Sequence, residues 1–349
     1  MRVFVDHHHH CVSDLDFLLG RRVSLVGRQS RAGAWNHDDC SAVVAFVPRI
    51  RRWDLAAAWA VFIPLAYIPN FAPERSINLA SLTIFWSFFA MTGIILCDQV
   101  TMALEHRSLL QESTRSGRPW LSLLCVGALS GLLLDGGAQW LGKLWIYPYW
   151  NEAVYGGTFV VGFCAYWLAT AESYLAVRAI LRRCAGKERV ATTPRRYETW
   201  LFRALGALGA ALILAGVFLL LSDYQHNGGY QFEIRKAVPV RVHFRYFQIL
   251  FIGIWLALEW VQVARGGASL LKTIFYGCWQ PLCALVLAAI GFGAFWETVN
   301  ASHHFWIYTN WPLCQWRLLS VPGVVLLTWP LQYVVFLSLG FVVGRDLWS

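Results

Sequence analysis

From residue 54 onwards, long apolar runs alternate with short polar stretches rich in arginine. Eight of these runs are long enough, or nearly so, to cross roughly 30 Å of hydrocarbon. They lie near 54–71, 77–97, 120–140, 154–180, 201–222, 246–264, 274–296 and 320–343. The first is the weakest, being short and carrying Pro64 and Pro69. Several contain Gly and Pro, which membrane helices tolerate better than soluble ones do. The pattern predicts an all-α polytopic transmembrane helix bundle of about eight helices. Residues 1–50 differ from the rest, being polar, arginine-rich and without periodicity.

Two stretches of the apolar region copy one another at a nearly constant spacing. Gly131 and Asp135 map onto Gly293 and Glu297 at an offset of 162, whereas Trp145, Tyr147 and Trp150 map onto Trp306, Tyr308 and Trp311 at 161. The register extends backwards: Ser108-Leu109-Leu110 recurs as Ser269-Leu270-Leu271, and Asp98 falls on Glu259. This implies two tandem units of four spans, 51–200 and 201–349. An even number of spans per unit makes the units parallel, related by an axis along the membrane normal. Such duplication commonly encloses a cavity between the halves.

Composition agrees with a lipid environment, with 57 % apolar and 14 % charged residues and a positive mean hydropathy. The net charge of +9 could suggest nucleic acid, but its distribution argues against that partner. Arg182, Arg183, Lys187, Arg189, Arg195, Arg196 and Arg203 crowd into one connection, the bias of a cytoplasmic face. The expected arrangement is a bacterial inner-membrane protein with both termini cytoplasmic. The loop 223–245, with Arg235, Lys236, Arg241 and Arg245, is the basic exception on the outer side.

The nine cysteines form no C-x-x-C pair, so neither a disulfide framework nor a zinc site is expected. Residues 1–50 read as a disordered cytoplasmic tail, or as sequence added by an upstream start codon. Its histidines, His7 to His10 and the cluster His37-Asp38-Asp39-Cys40, would bind metal only if the tail is functional. No signal-peptide pattern follows the first basic residues. No P-loop, dinucleotide fingerprint, H-E-x-x-H or G-x-S-x-G element occurs, and no cofactor is implied.

A carboxylate in hydrocarbon costs roughly 2.5–3.5 kcal/mol on insertion scales, so each needs a reason. Asp98 and Glu259 lie near the inner boundary, where capping a helix would account for them. Asp135 and Glu297 stand at the outer ends of the third and seventh spans, as structural ties or as a working site. Glu172, within the fourth span, is the leading embedded acid; its counterpart falls at Gln332-Tyr333. Glu297, Asn300 and His304 would share a helix face if that helix continues. The aromatic elements around Trp145, Tyr147, Trp306 and Tyr308 suit the membrane–water boundary. That belt does not explain their fixed distance from the preceding acid. An aromatic-lined cavity could also hold a flat polyene or shelter a cation.

An acid, a gap of about nine residues, Trp-x-Tyr and then a span with a carboxylate, all present twice, resembles the lycopene cyclase-domain membrane proteins. Asp135, Gly142, Trp145 and Tyr147, followed by Ala171-Glu172-Ser173-Tyr174-Leu175, carry the likeness in one half. Glu297, Trp306, Tyr308 and Pro330-Leu331-Gln332-Tyr333 carry it in the other. Paired glutamates of that family are reduced here to Glu172 and replaced by Gln332, and the gap before the acidic helix is about ten residues longer. The stretch Gly293 to Asn300 is also similar to bacterial membrane proteins with a G-x-x-W-E-x-x-N element.

The resemblance implies a carotenoid end-group cyclase. Glu172 would protonate a terminal double bond, assisted by Asp135 or Glu297, with Trp145, Tyr147, Trp306, Tyr308, Gln332 and Tyr333 against the substrate. Its partners would be membrane lipids and a long isoprenoid, with no nucleic acid. Two other classes fit the same residues: a small-molecule or ion transporter with the acids along its path, and a non-catalytic membrane scaffold. The sequence sets no oligomeric state.

Overall fold

Long helices occupy most of the computed structural model, which describes residues 79–114, 117–157, 159, 162–186, 196–226, 234–235, 245–313, 315–318, 320–342 and 347–348. The expected span at 54–71 and the histidine-bearing tail at 1–50 lie outside the described residues. Helix α1 (Leu79–Glu105) is followed by the short α2 (Leu109–Thr114) and by α3 (Gly117–Gly131). Helix α3 continues directly as a π-helical segment, Leu132–Leu141. After strand β1 (Trp145–Ile146) come α4 (Glu152–Gly157), α5 (Phe163–Ala185), α6 (Arg196–His226) and α7 (Arg245–Ala264). The short α8 (Leu270–Phe275) then leads into α9 (Gln280–His303). Strands β2 (Ile307–Tyr308), β3 (Arg317–Leu318) and β4 (Val321–Pro322) precede α10 (Gly323–Val342).

Among the described residues, five helical stretches are long and apolar enough to cross a membrane: Arg118–Trp140, Tyr197–His226, Tyr246–Ala264, Gln280–Thr298 and Gly323–Val342. Helix α5 matches them in length but not in hydropathy, and its surroundings explain why. It packs against α1, α3, α9 and α10, and every residue from Trp167 to Ala176 is buried. Enclosed by protein, it can carry Thr170, Glu172, Ser173 and Arg178, which a lipid-facing helix could not. The expected span at 154–180 is helical wherever it is described, through α4, the π-helical residues 159 and 162, and α5.

Without water, apolar side chains gain little by leaving lipid, so these helices cohere through close packing and polar contacts. The α6–α7 hairpin shows the first. Gly209 and Gly253 face one another so closely that a Cβ on Gly209 would lie 2.7 Å from the carbonyl oxygen of Gly253. The α5–α10 seam shows the second. Trp167 Nε1 donates to the Phe336 carbonyl at 2.8 Å, and the Ser173 and Tyr333 hydroxyls are 3.1 Å apart.

The two ends of the bundle repeat their chemistry. At one end the Asp98 carboxylate accepts from Ser108 Oγ at 2.8 Å and from the Leu110 N–H at 3.2 Å. Correspondingly, Glu259 accepts from the Leu271 N–H at 3.1 Å and from Trp255 Nε1 at 2.8 Å. Ser108 and Ser269 each accept an N–H three residues on, from Gln111 and Lys272. Both acids therefore fasten the start of a short helix, the capping role open to them in the sequence. At the other end β1 and β2 pair antiparallel, Trp145 opposite Tyr308 and Ile146 opposite Ile307. The two Trp-Ile-Tyr elements thus bind each other directly. The 223–245 loop reaches the same end: the Tyr147 N–H donates to the Ile234 carbonyl at 2.8 Å, and Arg235 Nε donates to the Trp150 carbonyl at 2.6 Å.

Candidate functional site: two caged carboxylates over an aromatic cavity

Asp135 is 1 % exposed and lies in the π-helical segment. Trp145 Nε1 donates to its Oδ1 at 3.0 Å. The Tyr147 hydroxyl reaches both carboxylate oxygens, at 3.0 and 3.1 Å, and the Tyr155 hydroxyl approaches Oδ2 at 3.4 Å. Glu297, 3 % exposed, has an equivalent cage. Trp306 Nε1 donates to Oε1 at 3.2 Å, the Tyr308 hydroxyl donates to the same oxygen, and Asn300 Nδ2 donates to Oε2 at 3.2 Å. Asn300 also fixes the turn that delivers these aromatics, giving a bond to the Trp306 carbonyl and taking one from the Trp306 N–H, each at 3.1 Å. The fixed spacing between acid and Trp-x-Tyr is the length of backbone needed to turn an indole and a phenol onto the carboxylate.

The one-residue change of offset within the repeat has a local cause. Asp135 precedes Trp145 by ten residues and Glu297 precedes Trp306 by nine. A π-helical turn holds one more residue than an α-helical turn, and the π-helical segment lies in the copy with the longer gap. The extra residue is absorbed in the helix, so both indoles still reach their acids.

Burial, and then the neighbouring Asp135 carboxylate, holds the Tyr147 phenol well above its ordinary range. Burial and Glu297 do the same for Tyr308. Both phenols stay protonated and act as donors at any physiological pH.

The two cages open onto one cavity of about 560 Å³, the size of a small-molecule site. Trp145, Trp150, Trp296, Trp306, Trp311 and Trp329 line it. Trp145 stacks on Trp311 at 6.4 Å between centroids, and Trp296 on Phe292 at 5.4 Å. Gly293 makes room for this wall, because a Cβ there would lie 2.4 Å from the Trp329 ring. Met91, a lining residue on α1, is 47 % exposed, so the cavity reaches the outer face of the bundle.

Of the residues singled out in the sequence, Asp135, Glu297, Trp145, Tyr147, Trp306, Tyr308, Gln332 and Tyr333 all line this cavity. Gln332 Nε2 donates to the Tyr166 hydroxyl at 2.8 Å. Glu172 is not among the lining residues; it is fully buried beside Asp98. His304 is exposed at the left-handed end of α9 and lines no part of the cavity, and the side chain of His303 lies outside the described residues. Among the described residues, no group of three or more His, Cys, Asp or Glu could hold a metal.

Sequence reasoning missed Tyr155 and Tyr166. Tyr166 lies within electrostatic reach of both Asp135 and Glu297 and lines the cavity. The signal available was its position in the helix of Glu172, six residues earlier, though the other half offers no matching tyrosine. Comparison with protein-family models, curated proteins and solved structures finds no match.

Proposed function

We propose that this membrane protein is an isoprenoid-modifying enzyme of the carotenoid end-group cyclase type, working by proton transfer in the aromatic cavity. The observation that carries the proposal is the pairing of two buried carboxyls, Asp135 and Glu297, on one cavity walled by six tryptophans. Cyclisation of a polyene end adds a proton to the terminal double bond, closes the ring by attack of a neighbouring double bond on the cation, and removes a proton from an adjacent carbon. The product is an isomer of the substrate, with no redox change. One carboxyl supplies the proton and the other removes one. The indole and phenol faces between them stabilise the cation. Tyr166, in reach of both acids, lies on the route by which the proton returns. Access past Met91 suits a substrate dissolved in lipid.

The rest of the proposal follows from the repeated chemistry. We take the chain as a tandem duplication of a four-helix unit, eight spans in all, in a bacterial inner membrane with both termini cytoplasmic. The matching bonds of Asp98 and Glu259, and of Asp135 and Glu297, support the duplication. The positive-inside bias supports the orientation.

The test is expression of the full chain in a lycopene-accumulating bacterium, with pigments analysed by chromatography and mass spectrometry. The expected result is a product of unchanged mass and shifted retention, lost in Asp135→Asn and in Glu297→Gln. A product heavier by one water would make the enzyme a hydratase. An unchanged pigment profile with well-expressed protein would sink the carotenoid assignment.

A carrier for an organic cation is the second reading. It is favoured by the fact that both halves of the chain contribute an acid and aromatic faces to the same cavity. Uptake into vesicles that depends on both acids, without any pigment change, would select it.

A further inference from the structure

Beneath the cavity lies a second pair of acids that the proposed chemistry does not touch. Ala165 and Ala169 line the cavity from α5, and Glu172 continues the same helix face at i, i+4 and i+7. One turn below the last lining residue, the side chain of Glu172 is fully buried. Neither of its oxygens is within good hydrogen-bond geometry of a partner; the groups that face it are Asp98 on α1, the Leu110 N–H and, more weakly, Glu112 on α2. Cys97 on α1 stands beside both Glu172 and Asp98. Among the described residues no salt bridge reaches either acid.

The two carboxyls are unequal. Asp98 receives two donors, Ser108 Oγ and the Leu110 N–H. Glu172 has no donor of its own beyond the Leu110 N–H, which is already bonded to Asp98, and two adjacent negative charges out of water repel strongly. The arrangement is relieved if Glu172 carries a proton and turns it towards Asp98. We propose that Asp98 and Glu172 share one proton and form an intramembrane proton store directly under the cavity. Tyr333 is the link upward. It lines the cavity, its hydroxyl is 3.1 Å from Ser173 Oγ, and it lies within electrostatic reach of Cys97. Cys97 in turn neighbours both acids. The path from store to cavity therefore runs Glu172, Cys97, Tyr333. The proposed function enters only by giving this proton a consumer; the store itself can be tested without any substrate.

The experiment is infrared spectroscopy of the full-length protein in lipid nanodiscs at neutral pH. The expected spectrum contains the carbonyl stretch of a protonated carboxyl. It moves on ¹³C-labelling of glutamate, is lost in Glu172→Gln, and changes frequency in Asp98→Asn. The labelled wild type guards against a variant that fails to fold. A spectrum with no protonated glutamate, or a band unaltered by both substitutions, overturns the shared proton. Transfer to D₂O then tests the link: Tyr333→Phe should slow deuteration of the Glu172 band severalfold. An unchanged rate overturns the path through Tyr333. Because no polyene is present, these results are independent of whether carotenoid cyclisation is observed.

Discussion

Trp145 stands opposite Tyr308 in the β1–β2 pair, yet the two side chains bond different acids, Trp145 to Asp135 and Tyr308 to Glu297. Each half of the chain thus braces its own carboxylate while its backbone braces the other half. Loss of one donor should be felt through its own acid. Tyr308→Phe should lower stability by about 1–3 kcal/mol, the range for a lost bond to a buried charged group. In a Glu297→Gln background the same substitution should cost clearly less. Unfolding of the four proteins of this double-mutant cycle, in one detergent, measures the coupling. Equal costs in both backgrounds would mean that the Tyr308–Glu297 bond contributes nothing.

The π-helical segment makes a sharper forecast. Deleting Gly136 shortens the Asp135–Trp145 gap from ten residues to nine, the spacing of the other copy. The helix can then close as an α-helix and still present the indole to the acid, so the variant should fold. Deleting Ala301 from the second copy leaves a gap of eight, with no wide turn to give up, and should strip Glu297 of Trp306. Thermal unfolding of the two deletions is the measurement, with the second expected to melt well below the first.

That contrast marks what a reader of the sequence could see. The repeated acids and aromatics were legible because each contact joins residues only nine to twelve positions apart, so spacing alone encodes it. The capping roles of Asp98 and Glu259 were legible for the same reason, through the recurring Ser-Leu-Leu. A cavity between the halves was expected from the duplication, but not which helices wall it, because that depends on α5 packing against α9 and α10, residues more than a hundred positions away. Glu172 shows the limit most clearly. Its helix and its burial were foreseeable, but its neighbour Asp98 lies 74 positions earlier, on a contact that no local pattern announces. Nor does hydropathy alone mark α5 as a span, because it is more polar than a lipid-facing helix where protein surrounds it.

Two glycines of α9 separate packing from propensity. A Cβ on Gly293 would meet the Trp329 ring at 2.4 Å, whereas a Cβ on Gly291 would meet nothing within 4 Å. Gly293→Ala should therefore destabilise by about 1–3 kcal/mol, as overpacking of a tight interior does. Gly291→Ala should be neutral or stabilise by up to about 1 kcal/mol through helix propensity. Tryptophan fluorescence should shift in the first variant and not in the second. A reversed order would contradict the packing of Trp329 on α9.

Alkaline pH acts on Tyr147 and Tyr308 with a definite sign. Both phenols sit well above their ordinary range in the folded protein, chiefly through burial. The unfolded chain ionises tyrosine near pH 10. Their stabilisation is thus fully present below about pH 10 and is lost as pH rises beyond it, because the unfolded state releases protons that the folded state retains. A spectrophotometric titration in detergent should show these two phenols ionising only on unfolding. Tyr147→Phe/Tyr308→Phe should flatten the stability–pH slope above pH 10. An unchanged slope would mean that neither phenol is shielded.

The far end of α5 is held by Leu347 and Trp348. Arg178, 4 % exposed, donates to the Leu347 carbonyl at 2.8 Å and to the Trp348 carbonyl at 2.6 Å. Leu347 and Trp348 are themselves fully buried, and Trp348 packs edge-on against Tyr174 at 5.4 Å. A guanidinium inside the bundle is tolerable only while such acceptors surround it. Removing residues 346–349 takes away two carbonyl acceptors and an aromatic anchor together. The expected loss is about 3–5 kcal/mol, comparable to breaking a buried charged contact by removing one partner. Arg178→Met should cost much less, because it removes the charge along with the need for acceptors and keeps most of the volume. Adding Arg178→Met to the truncation should recover part of the truncation's loss. If the truncated protein melts like the full-length one, the tail is not what satisfies Arg178, and the contacts of Leu347 and Trp348 contribute only local order.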